Sequence, residues 1–167
     1  AAGTAPTRGG TGRRDDDPHL EFRHLADDRI VLVVPPGHPL ARRPVATLDD
    51  LAAHPLVLRE AGSGLRHGFE KAMERAGRSL ADLRVVLELG SNEAIKEAVA
   101  RGVGVAVLSA CAVRADLDAG RLRVVEVEGV GRARELFVVT DRRRVLPAPA
   151  RLFVALLEGG AVPDLTS

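Results

Sequence analysis

Residues 56–77 read LVLREAGSGLRHGFEKAMERAG. Leu56 to Arg59 is a short strand whose first three residues are branched and apolar, and Glu60-Ala-Gly-Ser-Gly64 is a turn. Leu65, Phe69, Ala72 and Met73 then recur at helical spacing as far as Gly77, a residue suited to a helix end. The unit repeats at once. Arg84 to Leu89 reads as strand, Gly90-Ser-Asn92 as turn, and Glu93 to Arg101 as a helix with Ile95, Ala98 and Val99 inward, stopped by Gly102. Val103 to Leu108 is a third apolar strand, followed by a helical stretch to Asp118. Strands alternating with helices at this spacing specify an α/β fold with a mainly parallel sheet covered on both faces. Ligands of such sheets bind beyond the carboxyl ends of the strands, where helix N-termini converge. Small polar residues stand at those points: Ser63-Gly64, Ser91-Asn92 and Ser109.

Upstream, Leu20, Phe22 and His24 alternate with charged residues, and Ile30 to Val34 is a continuous apolar run closed by Pro35-Pro-Gly37. This is one long strand, or two in line, with the second half buried on both faces. Ala46-Thr-Leu-Asp-Asp-Leu51 opens a short helix, with Thr47 as cap and Asp50 three residues on to reciprocate, ending near His54-Pro55. Downstream, Arg121 to Val127 and Glu135 to Thr140 read as strands. Pro147 and Pro149 introduce a last helix, with Leu152, Phe153, Leu156 and Leu157 on its buried face. Residues 1–19 are polar, glycine-rich and aperiodic, and are expected to be poorly ordered.

Composition excludes several functions. The 24 Lys and Arg against 23 Asp and Glu leave a formal charge of +1 with both signs interspersed, so there is no field to attract nucleic acid or an anionic bilayer. No direct DNA contact and no membrane are expected of this stretch. With neither Trp nor Tyr and only four Phe, platforms for stacking sugars or bases are lacking. The single cysteine, Cys111, can form no internal disulfide and reads as a small buried hydrophobe; the five histidines are dispersed, and neither a metal nor any other cofactor is expected. The first twenty residues lack the apolar core of a signal peptide, which makes the cytoplasm the expected compartment.

Among residues that could carry chemistry, Gly62, Ser63, Gly64, Leu65 and Arg66 have the ingredients of an anion cradle. Two glycines admit a close backbone approach, Ser63 offers a hydroxyl, the first amides of the helix point outward, and Arg66 supplies a forked cation. The same residues are also explained by Ser63 capping the helix and Arg66 lying in solvent, and Ser91 and Asn92 share this ambiguity. Catalytic readings fail. Asp27-Asp28 and Asp49-Asp50 point to different sides of their elements, no Gly-x-Ser-x-Gly elbow occurs, and Gly102-Val-Gly104 precedes a strand, the reverse of a dinucleotide fingerprint. No enzyme is expected.

The succession Leu32-Val-Val-Pro-Pro-Gly-His-Pro-Leu40, Leu48-Asp-Asp-Leu51 with His54-Pro-Leu56, Glu60-Ala-Gly-Ser-Gly-Leu-Arg66, Gly90-Ser-Asn-Glu-Ala-Ile-Lys96 and Val99-Ala-Arg-Gly-Val-Gly-Val-Ala106 resembles the effector-binding domain of LysR-type transcriptional regulators. The resemblance runs from Leu20 to about Glu158. It implies a fold like a type 2 periplasmic binding protein, two Rossmann-like lobes joined by crossing strands, with a small-molecule inducer, anionic or a carboxylate, in the cleft. It also implies a homo-oligomer, dimer or tetramer, with the helix from Leu65 to Gly77 packing across the dimer. By this resemblance residues 20–35 are a first-lobe strand and a crossing strand, 36–127 the second, effector-binding lobe, and 128–167 the return strand and C-terminal helix of the first lobe. Gly62 to Arg66, Ser91 and Asn92 then become inducer contacts. The family's winged helix-turn-helix, linker helix and opening first-lobe strands have no counterpart here. The first lobe is expected to be incomplete, with apolar surface exposed around Phe22 and the last helix. A solute-binding lobe with no role in transcription is the alternative expectation.

Overall fold

The computed structural model describes residues 17–131 and 134–159. The chain clusters into two compact units, one made of the residues up to Ala26 and from Leu136, the other of Asp27 to Glu135. Most of the segment expected to be poorly ordered, residues 1–16, lies outside the described residues.

The larger unit is built on a six-stranded sheet. Its strands are β2 (Ile30–Val34), β3 (Val45–Ala46), β4 (Leu56–Arg59), β5 (Val85–Leu89), β6 (Val105–Ser109) and β7 (Arg123–Val127), in the order β3-β7-β2-β6-β4-β5. β4 runs parallel to β5 and β6, and β3 parallel to β7, while β2 runs antiparallel to both its neighbours, β6 and β7. The expected parallel sheet therefore has one reversed strand at its centre. Ile30 to Val34 lies in the interior of this unit. Its five residues are between 0% and 4% exposed, as a strand without a polar position must be.

Three strand-turn-helix units hang on this sheet: β4 into α2 (Gly64–Arg75), β5 into α3 (Asn92–Ala100) and β6 into α4 (Ala110–Asp118). The apolar stripe of α2 is buried as its spacing predicts: Leu65, Phe69, Ala72 and Met73 are all inside. Ile95 and Val99 of α3 join the same core. α1 (Leu48–Ala52) starts with the expected capping box, Thr47 Oγ1 accepting from Asp50 N–H and Asp50 Oδ2 accepting from Thr47 N–H at 2.9 Å. This backbone bond, with the Thr47 hydroxyl and Arg43 adding to it, holds the Asp50 carboxyl below its usual range.

Lys96, on the face of α3 next to Ile95, is buried where composition gave no warning. Its ammonium lies 2.8 Å from Asp116 Oδ2 of α4 and 2.8 Å from Glu93, and donates to the Ala112 carbonyl at 3.1 Å. Burial pulls the Lys96 pKa down, but the two carboxylates outweigh it and raise it overall. Asp116 also receives Arg121, so this buried carboxylate has two cations.

In the smaller unit, β1 (Leu20–Asp28) and β8 (Arg134–Asp141) form a two-stranded ladder, each strand ending within the neighbouring unit. Phe22 and Phe137 meet edge to face with centroids 6.3 Å apart, and His24 stands edge-on to Phe137 at 5.8 Å. Arg143 forks onto Asp141, pulling that carboxyl down to about 2. On the last helix, α5 (Ala148–Glu158), the face that spacing alone reads as buried is open, as the expectation of apolar surface around this helix had it: Leu152, Phe153 and Leu156 are 63%, 62% and 56% exposed, and Leu157 is half-buried. Helical spacing gathers apolar residues on one face but supplies nothing to cover them, and a two-stranded ladder offers little surface. Phe22, Phe137 and Val139 are also exposed, as was expected of Phe22.

One glycine fixes how closely two turns approach. A methyl group on Gly104 would lie 2.4 Å from the Pro55 carbonyl oxygen, to which Val105 N–H donates at 2.8 Å. The turn before β4 and the turn before β6 are thus pressed backbone to backbone, and no side chain fits between them. Gly104→Ala should lower stability by about 1–3 kcal/mol. Gly37→Ala, where nothing lies within 4 Å, should change it by less than about 0.5 kcal/mol. Thermal melting of the two variants beside the parent checks this difference.

Candidate functional site

β4, β5 and β6 are mutually parallel, and each passes directly into a helix, so the N-termini of α2, α3 and α4 gather at one end of the sheet. The turn into α2 is set by Gly62. Ser63 N–H donates to the Glu60 carbonyl at 3.2 Å across the turn, and Gly62, in its third position, has φ of +92°, a value that glycine adopts freely. Ser63 follows as the N-cap residue with extended backbone, 8% exposed, and its side chain makes no capping bond. The first backbone bond of α2 is His67 N–H to Ser63 C=O at 3.0 Å. Among the described residues the N–H groups of Gly64, Leu65 and Arg66 have no partner, and together they carry the positive end of the helix dipole. The capping explanation of Ser63 thus loses its main support, and an uncommitted hydroxyl stands beside three open donors.

Arg66 takes neither of the expected roles, the free forked cation or the solvated surface residue. It donates to Glu70 at 2.9 Å one helical turn on, lies 2.8 Å from Glu88 of β5, and donates to the Arg59 carbonyl at 3.2 Å. The hydrogen bonds to Glu70 and Glu88 raise its pKa. The guanidinium is a strut between α2, β4 and β5 rather than an open charge. Ser91 and Asn92 separate from each other. Ser91 caps α3, its Oγ accepting from Ala94 N–H at 3.5 Å, while Asn92 Oδ1 accepts from Arg59 at 2.8 Å.

Sequence reasoning missed Arg59. Its guanidinium makes a fork onto Glu60 at 2.8 and 2.9 Å and still reaches Asn92, tying the end of β4 to the start of α3. That hydrogen bonding holds the Glu60 carboxyl down and the Arg59 pKa up. Arg59 and Asn92 are 33 residues apart, so no local pattern announces the bond. Ser109 is the third polar residue at this end. It also leaves its helix uncapped, its hydroxyl donating instead to the buried Asp28 carboxylate at 2.8 Å. Cys111 Sγ lies 3.1 Å from the same oxygen, so the residue expected to be a buried hydrophobe is half-buried and polar in its contact. Burial and the neighbouring carboxylate both push this thiol up, away from the reactive thiolate.

An α/β unit with polar groups assembled at converging helix N-termini is the architecture of a small-molecule binding lobe. Residues 9–161 match the family model of the LysR substrate binding domain, and the chain belongs to that family. It is 40% identical to an HTH-type transcriptional regulator of Methanocaldococcus jannaschii, MJ0300, across 81% of this chain and 46% of the relative. It is 40% identical to the HTH-type transcriptional regulator CbbR of Xanthobacter flavus, across 90% of this chain and 45% of CbbR. It is also 41% identical to a protein of Anaeromyxobacter dehalogenans named phosphonates import ATP-binding protein PhnC, across 98% of this chain and 34% of that protein. The chain thus spans less than half the length of these relatives. Among solved structures, the regulatory domain of Synechocystis CcmR, in complex with 2-PG, superposes with a TM-score of 0.73 at 27% identity, covering 89% of this chain and 70% of that one.

The two cap positions should respond differently to truncation. Thr47→Ala removes half of a capping box and should cost about 1 kcal/mol. Ser63→Ala, whose hydroxyl caps nothing, should cost less than about 0.5 kcal/mol. Urea unfolding of both variants measures the contrast.

Proposed function

We propose that this chain is the effector-sensing part of a LysR-family transcriptional regulator, and that Ser63 with the amides of Gly64, Leu65 and Arg66 forms the contact for an anionic or carboxylate-bearing metabolite. The observation that carries this reading is Ser63, a residue only 8% exposed whose hydroxyl has no capping duty, beside three unpaired N–H groups at the start of a 12-residue helix. Helix dipole and amides favour a negative oxygen here without a free cation, since Arg59 and Arg66 are both held by carboxylates. The relatives named as HTH-type regulators and the CcmR domain bound to 2-PG support a sensing role over catalysis. Ser91 and Asn92 bound the same end of the sheet, with Asn92 oriented by Arg59.

The ligand works by stabilising one arrangement of the regulator over another, and so changes its grip on DNA. DNA contact belongs to other parts of such a regulator, and the working form is a homo-oligomer in the cytoplasm. No helix among the described residues is long and apolar enough to cross a membrane.

Melting this chain against inorganic phosphate, short-chain carboxylates and amino-acid metabolites tests the proposal. A true ligand at a hundred times its Kd adds about 2.7 kcal/mol of stability. Ser63→Ala should weaken binding by about 1 kcal/mol, a roughly five-fold rise in Kd, while leaving the ligand-free melt unchanged. A stabilising ligand whose affinity is indifferent to Ser63→Ala would place the contact elsewhere.

A further inference from the structure

At the end of the sheet opposite this site, two histidines from distant turns meet. His38 follows β2 and His54 precedes β4, and their ring centroids lie 4.6 Å apart at 69°, edge to face. Because β2 is antiparallel to β6 and β4 parallel to it, the C-terminal end of β2 and the start of β4 lie at the same end of the sheet with β6 between them. The imidazole contact therefore spans one strand.

We infer that the His38–His54 contact is a proton-sensitive clasp that joins these two turns and loosens as the pH falls below neutrality. Three observations carry the inference. His38 Nδ1 accepts a hydrogen bond from Leu40 N–H at 3.2 Å, capping the 3-10 turn Pro39–Arg42, and an acceptor at Nδ1 requires the neutral imidazole. Protonation fills that lone pair and orphans an amide beside Leu40, itself 3% exposed. A cationic ring also meets no counter-charge, since among the described residues no carboxylate forms an ion pair with either ring. The charged groups on the flanking elements are Arg42 and Arg43 before β3, Asp49 and Asp50 on α1, Arg78 after α2, Arg84 before β5, and Arg123 and Glu126 on β7, with Glu126 paired to Arg29. Of these, Asp50 is engaged by Thr47 and Arg43, and Asp49 by Arg78. Finally, His54 directly precedes Pro55, whose carbonyl is pressed against Gly104, so a displacement of this turn is felt by β6 as well as β4.

Burial first, and the neighbouring His54 second, lower the pKa of His38 below its ordinary 6.5. Over the interval between those values the unfolded chain binds more protons than the folded one, so stability is complete above about pH 6.5 and declines as the pH falls below it. The lowered carboxylates Asp50, Asp116 and Asp141, with an ordinary value of 3.8, and Glu60, with 4.5, act only at lower pH and leave this window clear.

The test compares melting temperatures at about pH 7.5 and about pH 5.5 for the wild-type chain, His38→Asn, which keeps an acceptor near Leu40 N–H without titrating, and His54→Gln. The wild type should lose about 2–4 °C more across this step than either variant. In parallel, imidazole NMR of the wild type should show His38 half-protonated below pH 6.5, and above its wild-type midpoint in His54→Gln. Equal losses in all three chains, or a His38 midpoint at or above 6.5, would overturn the inference.

Discussion

The larger unit depends on the burial of β2. Ile30 to Val34 has an apolar side chain at every position, so both faces of the strand are apolar, and its hydrogen bonds go to β6 on one side and β7 on the other. Each of these side chains is worth about 1.5–3 kcal/mol when taken from water, so the strand is stable only where elements cover both faces. That requirement places it in the middle of the sheet. It also brings Asp28 and Arg29, which precede it, against the start of α4, where Asp28 accepts from Ser109 and the Arg29 carbonyl accepts from Ala110 N–H. The geometry of the end where the helix N-termini gather is thus partly a consequence of packing deep inside.

From that centre the chain builds a platform held by ion pairs and hydrogen bonds rather than by packing alone. Arg59 connects β4 to α3, Arg66 connects α2 to β4 and β5, and Lys96 with Asp116 connects α3 to α4. Each charge is answered by a carboxylate, which fixes the helix starts relative to one another and leaves the open amides of α2 as the main attraction for an anion. A rigid support with a few unsatisfied donors suits recognition of a small ligand, because little order has to be gained on binding.

How much of this was legible in the sequence depended on the range of the interaction. β4 was readable to the residue, and the buried stripes of α2 and α3 followed from spacing alone, because periodicity records which face turns inward. The Thr47–Asp50 box, three residues apart, was equally plain. β3, two residues long, leaves no period to read. The engagement of Arg66 by Glu88 and of Arg59 by Asn92 joins positions more than twenty residues apart and emerges only once the sheet is assembled. The spacing of α5 marked an apolar face as buried, while the resemblance pointed to the exposure that is found, since a pattern shows what needs burial and not whether anything provides it. Ser63 remained ambiguous for a related reason: a serine before a helix is a cap or a ligand group according to where its hydroxyl turns, and only coordinates show that.

The most direct test of the central claim is an amide NMR titration of the chain with inorganic phosphate and with a short-chain carboxylate. The account predicts that the N–H signals of Gly64, Leu65 and Arg66 shift together and by the largest amounts, since these are the donors left open at the start of α2. Saturable shifts concentrated elsewhere, with these three amides unmoved, would contradict it.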